Sequence, residues 1–191
     1  MRFLPVPSLL LLGVFIAACG AETNKDPVAE AKFQNEKRIG NEDVTSKQEL
    51  DAAFLVNVAS YSMLDVEMSQ MAQRKATSPD VKYLAQLIVG EHAAMQKALQ
   101  QLASQKSIVL PAGLGAEQAK RLGELGALNG PAFDRTYVDL LESSHKTSID
   151  EFDDMSDDAY DGDIRAFAAN YLAPLKTHLD AAEKLSDKLP K

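Results

Sequence analysis

The chain has 191 residues, of which 46% are hydrophobic, 25% charged and 6% aromatic. That length predicts one domain, and a charged fraction of this size excludes a wholly disordered chain. The single Cys excludes an intrachain disulfide framework and a zinc site built from several Cys. The net charge of −8 argues against a general nucleic-acid binder, because phosphate contacts need a basic surface.

The first 19 residues have the layout of a bacterial lipoprotein signal. A positive charge at Arg2 is followed by ten apolar residues, 9–18, and small residues then lead to Cys19. That run is too short for a membrane-spanning helix, which needs about 20 residues. We predict that residues 1–18 are a signal peptide and that Cys19 is acylated and becomes the mature N-terminus. An ordinary signal peptide whose Cys is incidental is the alternative.

The residue after Cys19 is Gly20 rather than an Asp. By resemblance to Gram-negative lipoproteins, this predicts a lipid-anchored location at the outer membrane, facing the periplasm. The membrane, reached through the N-terminal lipid, is therefore the predicted partner, and no motif indicates a protein partner.

Residues 19–46 are predicted to form a lipidated flexible tether. Charged and polar residues dominate this stretch, and its apolar residues have no sustained period. A transient helix around residues 27–38 is the alternative. The folded domain would then span residues 47–191.

From residue 47 onward, apolar residues recur at helical spacings of three and four. Helices are predicted to begin near residues 47, 79, 116, 131 and 163, the third being short. The core-facing positions of the first are Leu50, Phe54, Tyr61, Leu64, Met68 and Met71. With no convincing strand, the pattern predicts an all-α protein, an antiparallel four-helix bundle with a short extra helix.

Three histidines, His92, His145 and His178, each lie on a different long helix at a position where the pattern expects an apolar residue. Counted from the helix midpoints, all three lie within about 4 Å of the middle of the bundle. Glu67 is a candidate fourth ligand, although its height fits less well. Such a group suits zinc, copper, nickel or iron.

Three separately satisfied core histidines, bonded to tyrosines or to the backbone, are the alternative to a metal site. Ring nitrogens more than about 6–7 Å apart would contradict the metal site, because Zn–N bonds are only about 2.0–2.1 Å long. A di-iron centre is disfavoured, since Glu142 and His145 form the only Glu-x-x-His pair. The acidic stretch 150–163 imitates an EF-hand loop, but Ala159 and Ala168 stand where ligands are needed. No motif predicts a catalytic residue.

A set of residues spread over positions 48–186 resembles a known family. The set comprises Phe54, Glu67, Ala72, Val81-Lys82-Tyr83-Leu84-Ala85, Glu91-His92, Phe133-Asp134, Tyr137, His145, Phe167-Ala168, Leu172, Pro174 and His178. They resemble an uncharacterised bacterial family of exported proteins with a ferritin-like helical bundle, described as outer-membrane proteins or lipoproteins. The resemblance implies a ferritin-like helical bundle and an exported location. It also implies a family site at Glu67, His92, His145 and His178.

The leading hypothesis is therefore a lipoprotein whose bundle binds a transition metal ion through core histidines without catalysis. The second hypothesis is an envelope structural or interaction protein, in which the histidines only make core hydrogen bonds. A redox enzyme is the third, and it is weakened by the missing Glu-x-x-His pairs.

Overall fold

A computed structural model of the chain describes residues 25–40 and 46–190. Over these ranges the regular structure consists of six helices and contains no strand. They are α1 (Pro27–Ile39), α2 (Ser46–Lys75), α3 (Pro79–Gln105), α4 (Ala116–Ala127), α5 (Gly130–Asp158) and α6 (Gly162–Ser186). The predicted all-α fold is confirmed, and none of these helices is long and apolar enough to cross a membrane. The predicted signal peptide and Cys19 lie outside the described residues.

The four long helices, α2, α3, α5 and α6, form the bundle, and two apolar clusters fill its core. The first apolar cluster includes Leu64, Met68, Val81, Ile88, Phe133, Leu141 and Leu185. The second apolar cluster includes Phe54, Leu55, Leu99, Leu102, Phe152, Ile164 and Leu175. Along α2 and α6 the chain runs from the second cluster to the first, and along α3 and α5 it runs the other way. Since α2 packs on α3 and α5, and α6 packs on the same two, every neighbouring pair is antiparallel, as predicted.

Part of the predicted tether is a helix instead. Asp26 caps α1 by accepting hydrogen bonds from the amides of Val28 and Ala29, and Pro27 occupies the first turn. The buried Asn35 side chain exchanges two hydrogen bonds with the backbone of Val109, at 2.8 and 2.9 Å. The tether prediction is therefore wrong for residues 27–39, where the alternative helix is the observed structure.

Two of the interhelical turns are held by buried aspartates. Asp134 on α5 accepts hydrogen bonds from the Thr77 amide and hydroxyl and from the Ser78 amide, which fixes the α2–α3 turn. Asp51 on α2 accepts from the amides of residues 160 and 161 in the α5–α6 turn. These contacts fix the two hairpins relative to each other and thereby set the heights of their residues.

One predicted core position is wrong. Leu50 is 64% exposed, because α2 begins only at Ser46 and its first turn extends past the second apolar cluster. Phe54, one turn later, is buried as predicted and packs edge-on against Phe152 at 5.1 Å between ring centroids.

Candidate metal centre

The three histidines converge in the layer that separates the two apolar clusters. His92 on α3, His145 on α5 and His178 on α6 are 2%, 0% and 2% exposed. Their ring centroids form a nearly equilateral triangle with sides of 5.3, 5.4 and 5.5 Å. One ring nitrogen from each lies within 4.8 Å of the others, inside the limit set by metal–nitrogen bond lengths. The three residues could therefore hold one metal ion.

Each ring has an outer nitrogen that faces a protein partner. His145 Nδ1 donates to the Leu141 carbonyl at 2.9 Å, and His178 Nε2 donates to Glu91 Oε2 at 2.9 Å. His92 Nδ1 lies 3.3 Å from Ser62 Oγ. Metal-binding histidines commonly donate their second N–H to a carboxylate, carbonyl or similar acceptor, which fixes the tautomer and the ring orientation.

The inner nitrogens face one another rather than protein partners. With Nδ1 of the neutral His145 ring carrying its hydrogen, the other nitrogen, Nε2, carries a lone pair. His145 Nε2 and His178 Nδ1 are 3.3 Å apart. The nitrogens of a tetrahedral zinc site, with bonds of about 2.0–2.1 Å, are separated by about the same distance. The third inner nitrogen, His92 Nε2, is buried without a hydrogen-bond partner.

His92 and His145 are uncharged, so each ring keeps a nitrogen lone pair that can bind a metal ion. Burial, together with repulsion from His178, lowers the pKa of His145 to about 4. Burial and the two neighbouring rings also hold the pKa of His92 well below its usual value. Both rings are thus neutral at pH 7, which is the form that binds a metal ion.

The structure brings Asp65 to the centre, a residue that the sequence analysis missed. Its Oδ2 lies 3.9 Å from His92 Nδ1 and 3.8 Å from His145 Nδ1, on the outer side of both rings. Complete burial raises the pKa of Asp65 to about 7, and the nearby Ser144 hydroxyl acts in the opposite direction. A sequence signal for it exists, since Ser62, Asp65 and Ser69 form a polar stripe at spacings of three and four along α2.

Glu67 does not belong to the centre, contrary to prediction. Two residues from Asp65, it lies on the opposite side of α2, because successive helix residues are rotated by about 100°. Its side chain is exposed, and it is not among the residues whose ligand atoms converge. Tyr137, one of the tyrosines considered as histidine partners, bonds instead to Ser69 Oγ at 2.9 Å.

The sequence profile of a domain of unknown function, DUF4142, matches residues 40–185. The chain belongs to the DUF4142 family. This confirms the predicted membership of an uncharacterised family, whereas the ferritin-like fold, export and lipidation stay predictions. No curated protein matches the sequence.

Three solved structures have a similar fold. CopM in the Cu(II)-bound form is 16% identical, with a TM-score of 0.62 over 72% of this chain and 96% of CopM. A Streptomyces coelicolor DUF305 protein, described as secreted, is 15% identical, with a TM-score of 0.60 over 71% of this chain and 91% of its own. A conserved hypothetical protein from Mycobacterium tuberculosis is 13% identical, with a TM-score of 0.59 over 76% of this chain and 96% of its own. Identities this low show a common fold alone.

Proposed function

We propose that this protein binds one transition metal ion through His92, His145 and His178, in a bundle anchored to the cell envelope by a lipid on Cys19. The observation that carries the metal proposal is that the two nitrogens of each ring have different surroundings. The outer nitrogens bond or face protein groups, whereas one nitrogen from each ring converges on a shared buried space, in which His92 Nε2 has no hydrogen-bond partner. A cation is the species that such an arrangement stabilises.

Copper is the first ion to test, with zinc, nickel and iron as comparisons. Imidazole nitrogens suit all four metals, and divalent copper generally has the highest affinity among first-row ions for a given set of ligands. The similar fold of CopM in its Cu(II)-bound form supports this choice. The Glu91 carboxylate, and the Asp65 carboxyl once a cation favours its ionised form, would balance the charge of a divalent ion beside the outer nitrogens.

The test is the metal content of the protein purified from its native host, and of metal-free protein reloaded with Cu(II) or Zn(II). We expect one ion per chain for the wild type and a large loss of affinity for His145→Ala. Glu91→Ala should weaken binding by about 10- to 100-fold, since it removes the acceptor that orients His178. Glu67→Ala is the matched control, because this exposed glutamate should leave affinity unchanged. A wild type without stoichiometric metal under both conditions would refute the proposal.

The anchor has its own test. If Cys19 is acylated, Cys19→Ser should abolish labelling by a fatty-acid analogue and move the protein from the membrane to the soluble fraction of the envelope, since the acyl chains provide the attachment. Sucrose-gradient separation of inner and outer membranes would test the outer-membrane assignment. Labelling that survives Cys19→Ser would contradict acylation at this residue.

An envelope interaction protein without metal is the second candidate. The bond from His145 to the Leu141 carbonyl favours it, because the backbone partner was expected for a purely structural histidine. That candidate does not account for His92 Nε2, which is buried without a partner. A polar atom left in this state costs about 1–3 kcal/mol, which a bound ion would offset.

A further inference from the structure

A cavity of about 180 Å³ lies beside the histidine cluster, between α3 and α6. His92 and His178 line it, whereas His145, on α5, does not. Glu91 and Ala94 also line this cavity, and their exposure shows where it opens to solvent. The cavity therefore connects one face of the cluster with the surface of the protein.

The protein supplies three strong ligands to the centre and no fourth one from the cavity side. Among the described residues, the group contains His92, His145 and His178 and no fourth His, Cys, Asp or Glu. Asp65 lies beside the outer Nδ1 atoms, and Glu91 is bonded to the outer nitrogen of His178. Sites with three protein ligands keep a position for water or an added ligand, whereas four-ligand sites are closed.

We infer that the bound metal keeps one coordination position open toward this cavity, where it takes water or a small anion. The inference rests on the proposed metal binding. Met95, Tyr171 and Leu175 form much of the cavity wall, so the ligand would be held by the metal rather than by protein hydrogen bonds. That arrangement favours small monodentate anions over larger polar molecules.

The test uses the full chain in detergent, loaded with one equivalent of Cu(II) and titrated with azide. Azide bound to Cu(II) gives a charge-transfer absorption band, which reports ligand binding independently of any activity. We expect one azide per copper in the wild type. Ala94→Trp places a large side chain at the cavity mouth and should weaken azide binding at least tenfold with copper content unchanged. Ala93→Trp is the matched control, since this neighbouring exposed residue does not line the cavity.

The outcomes separate this inference from the metal proposal. Stoichiometric copper without any azide band would overturn the open position and leave the metal site intact. In that case, a band that appears in Met95→Leu would identify the Met95 thioether as the fourth ligand. Equal azide affinity in the wild type and Ala94→Trp would overturn the cavity as the route of access. Failure to bind copper at all would overturn both proposals.

Discussion

Replacing His92 with Leu is expected to stabilise the metal-free protein by about 1–2 kcal/mol and to abolish its stabilisation by metal. In the metal-free state, His92 Nε2 is buried without a partner, and a Leu of similar volume removes that cost. The Ser62 hydroxyl that faces His92 can instead bond to a carbonyl one turn earlier in α2. In the wild type, an ion at 100 times its dissociation constant would add about 2.7 kcal/mol. The order of stability of the two proteins should therefore reverse when metal is added.

Urea unfolding, followed by circular dichroism with and without metal, measures both effects. Ile88→Leu is the control, since Ile88 lies one turn before His92 on the same face of α3 and is fully buried. This substitution should cost less than about 1.5 kcal/mol and should leave the metal-dependent gain intact. Full metal stabilisation of His92→Leu would show that the ring is a core residue only.

The heights of the histidines could be predicted because antiparallel helices of similar length bring their midpoints to one level. The predicted starts near residues 79 and 163 agree with the observed starts of α3 and α6, which Ser78 and Asp161 cap. Helix α1 has equally clear local signals, with Asp26 as its cap and Pro27 after it. Its contribution to the core, however, depends on the pairing of Asn35 with Val109, 74 residues away. A local pattern contains no information on such a contact.

The carboxylate of the site was assigned to the wrong residue for a geometric reason. Glu67 was a candidate because it flanks the predicted stripe of Leu64, Met68 and Met71, although its height fits less well, but its side chain is exposed and does not reach the centre. Asp65 lies between Leu64 and Val66. A single acid between apolar residues is easily taken for a residue at the edge of the buried face of the helix. The bonds of Glu91 and Leu141 to the rings depend on side-chain orientation, which spacing does not determine.

The pH dependence of the unfolding free energy should reveal the raised pKa of Asp65. Because its pKa in the folded protein is raised to about 7, the native state binds a proton that the unfolded state releases above about pH 4. Asp65 therefore adds stability as pH falls from 7 to 4. His145 has the opposite sign: its pKa is lowered to about 4, so the unfolded state binds the extra proton below about pH 6.5 and stability falls. The two contributions, each on the order of 3 kcal/mol between pH 7 and pH 4, oppose each other in the wild type.

The Asp65→Asn variant lacks the stability that Asp65 adds as pH falls. The amide resembles the protonated carboxyl, so the folded structure should persist, while the contribution of His145 and that of His92, which has the same sign, are no longer opposed. Between pH 7 and pH 4, the metal-free variant should lose about 3 kcal/mol more unfolding free energy than the metal-free wild type loses. Chemical denaturation at pH 7, 5.5 and 4 with a chelator measures this difference, and the exposed Asp154→Asn on α5 should follow the wild type.

Parallel profiles for Asp65→Asn and the wild type would mean that Asp65 is ionised in the folded protein at these pH values. Asp65 would then form ion pairs with the imidazolium forms of His92 and His145.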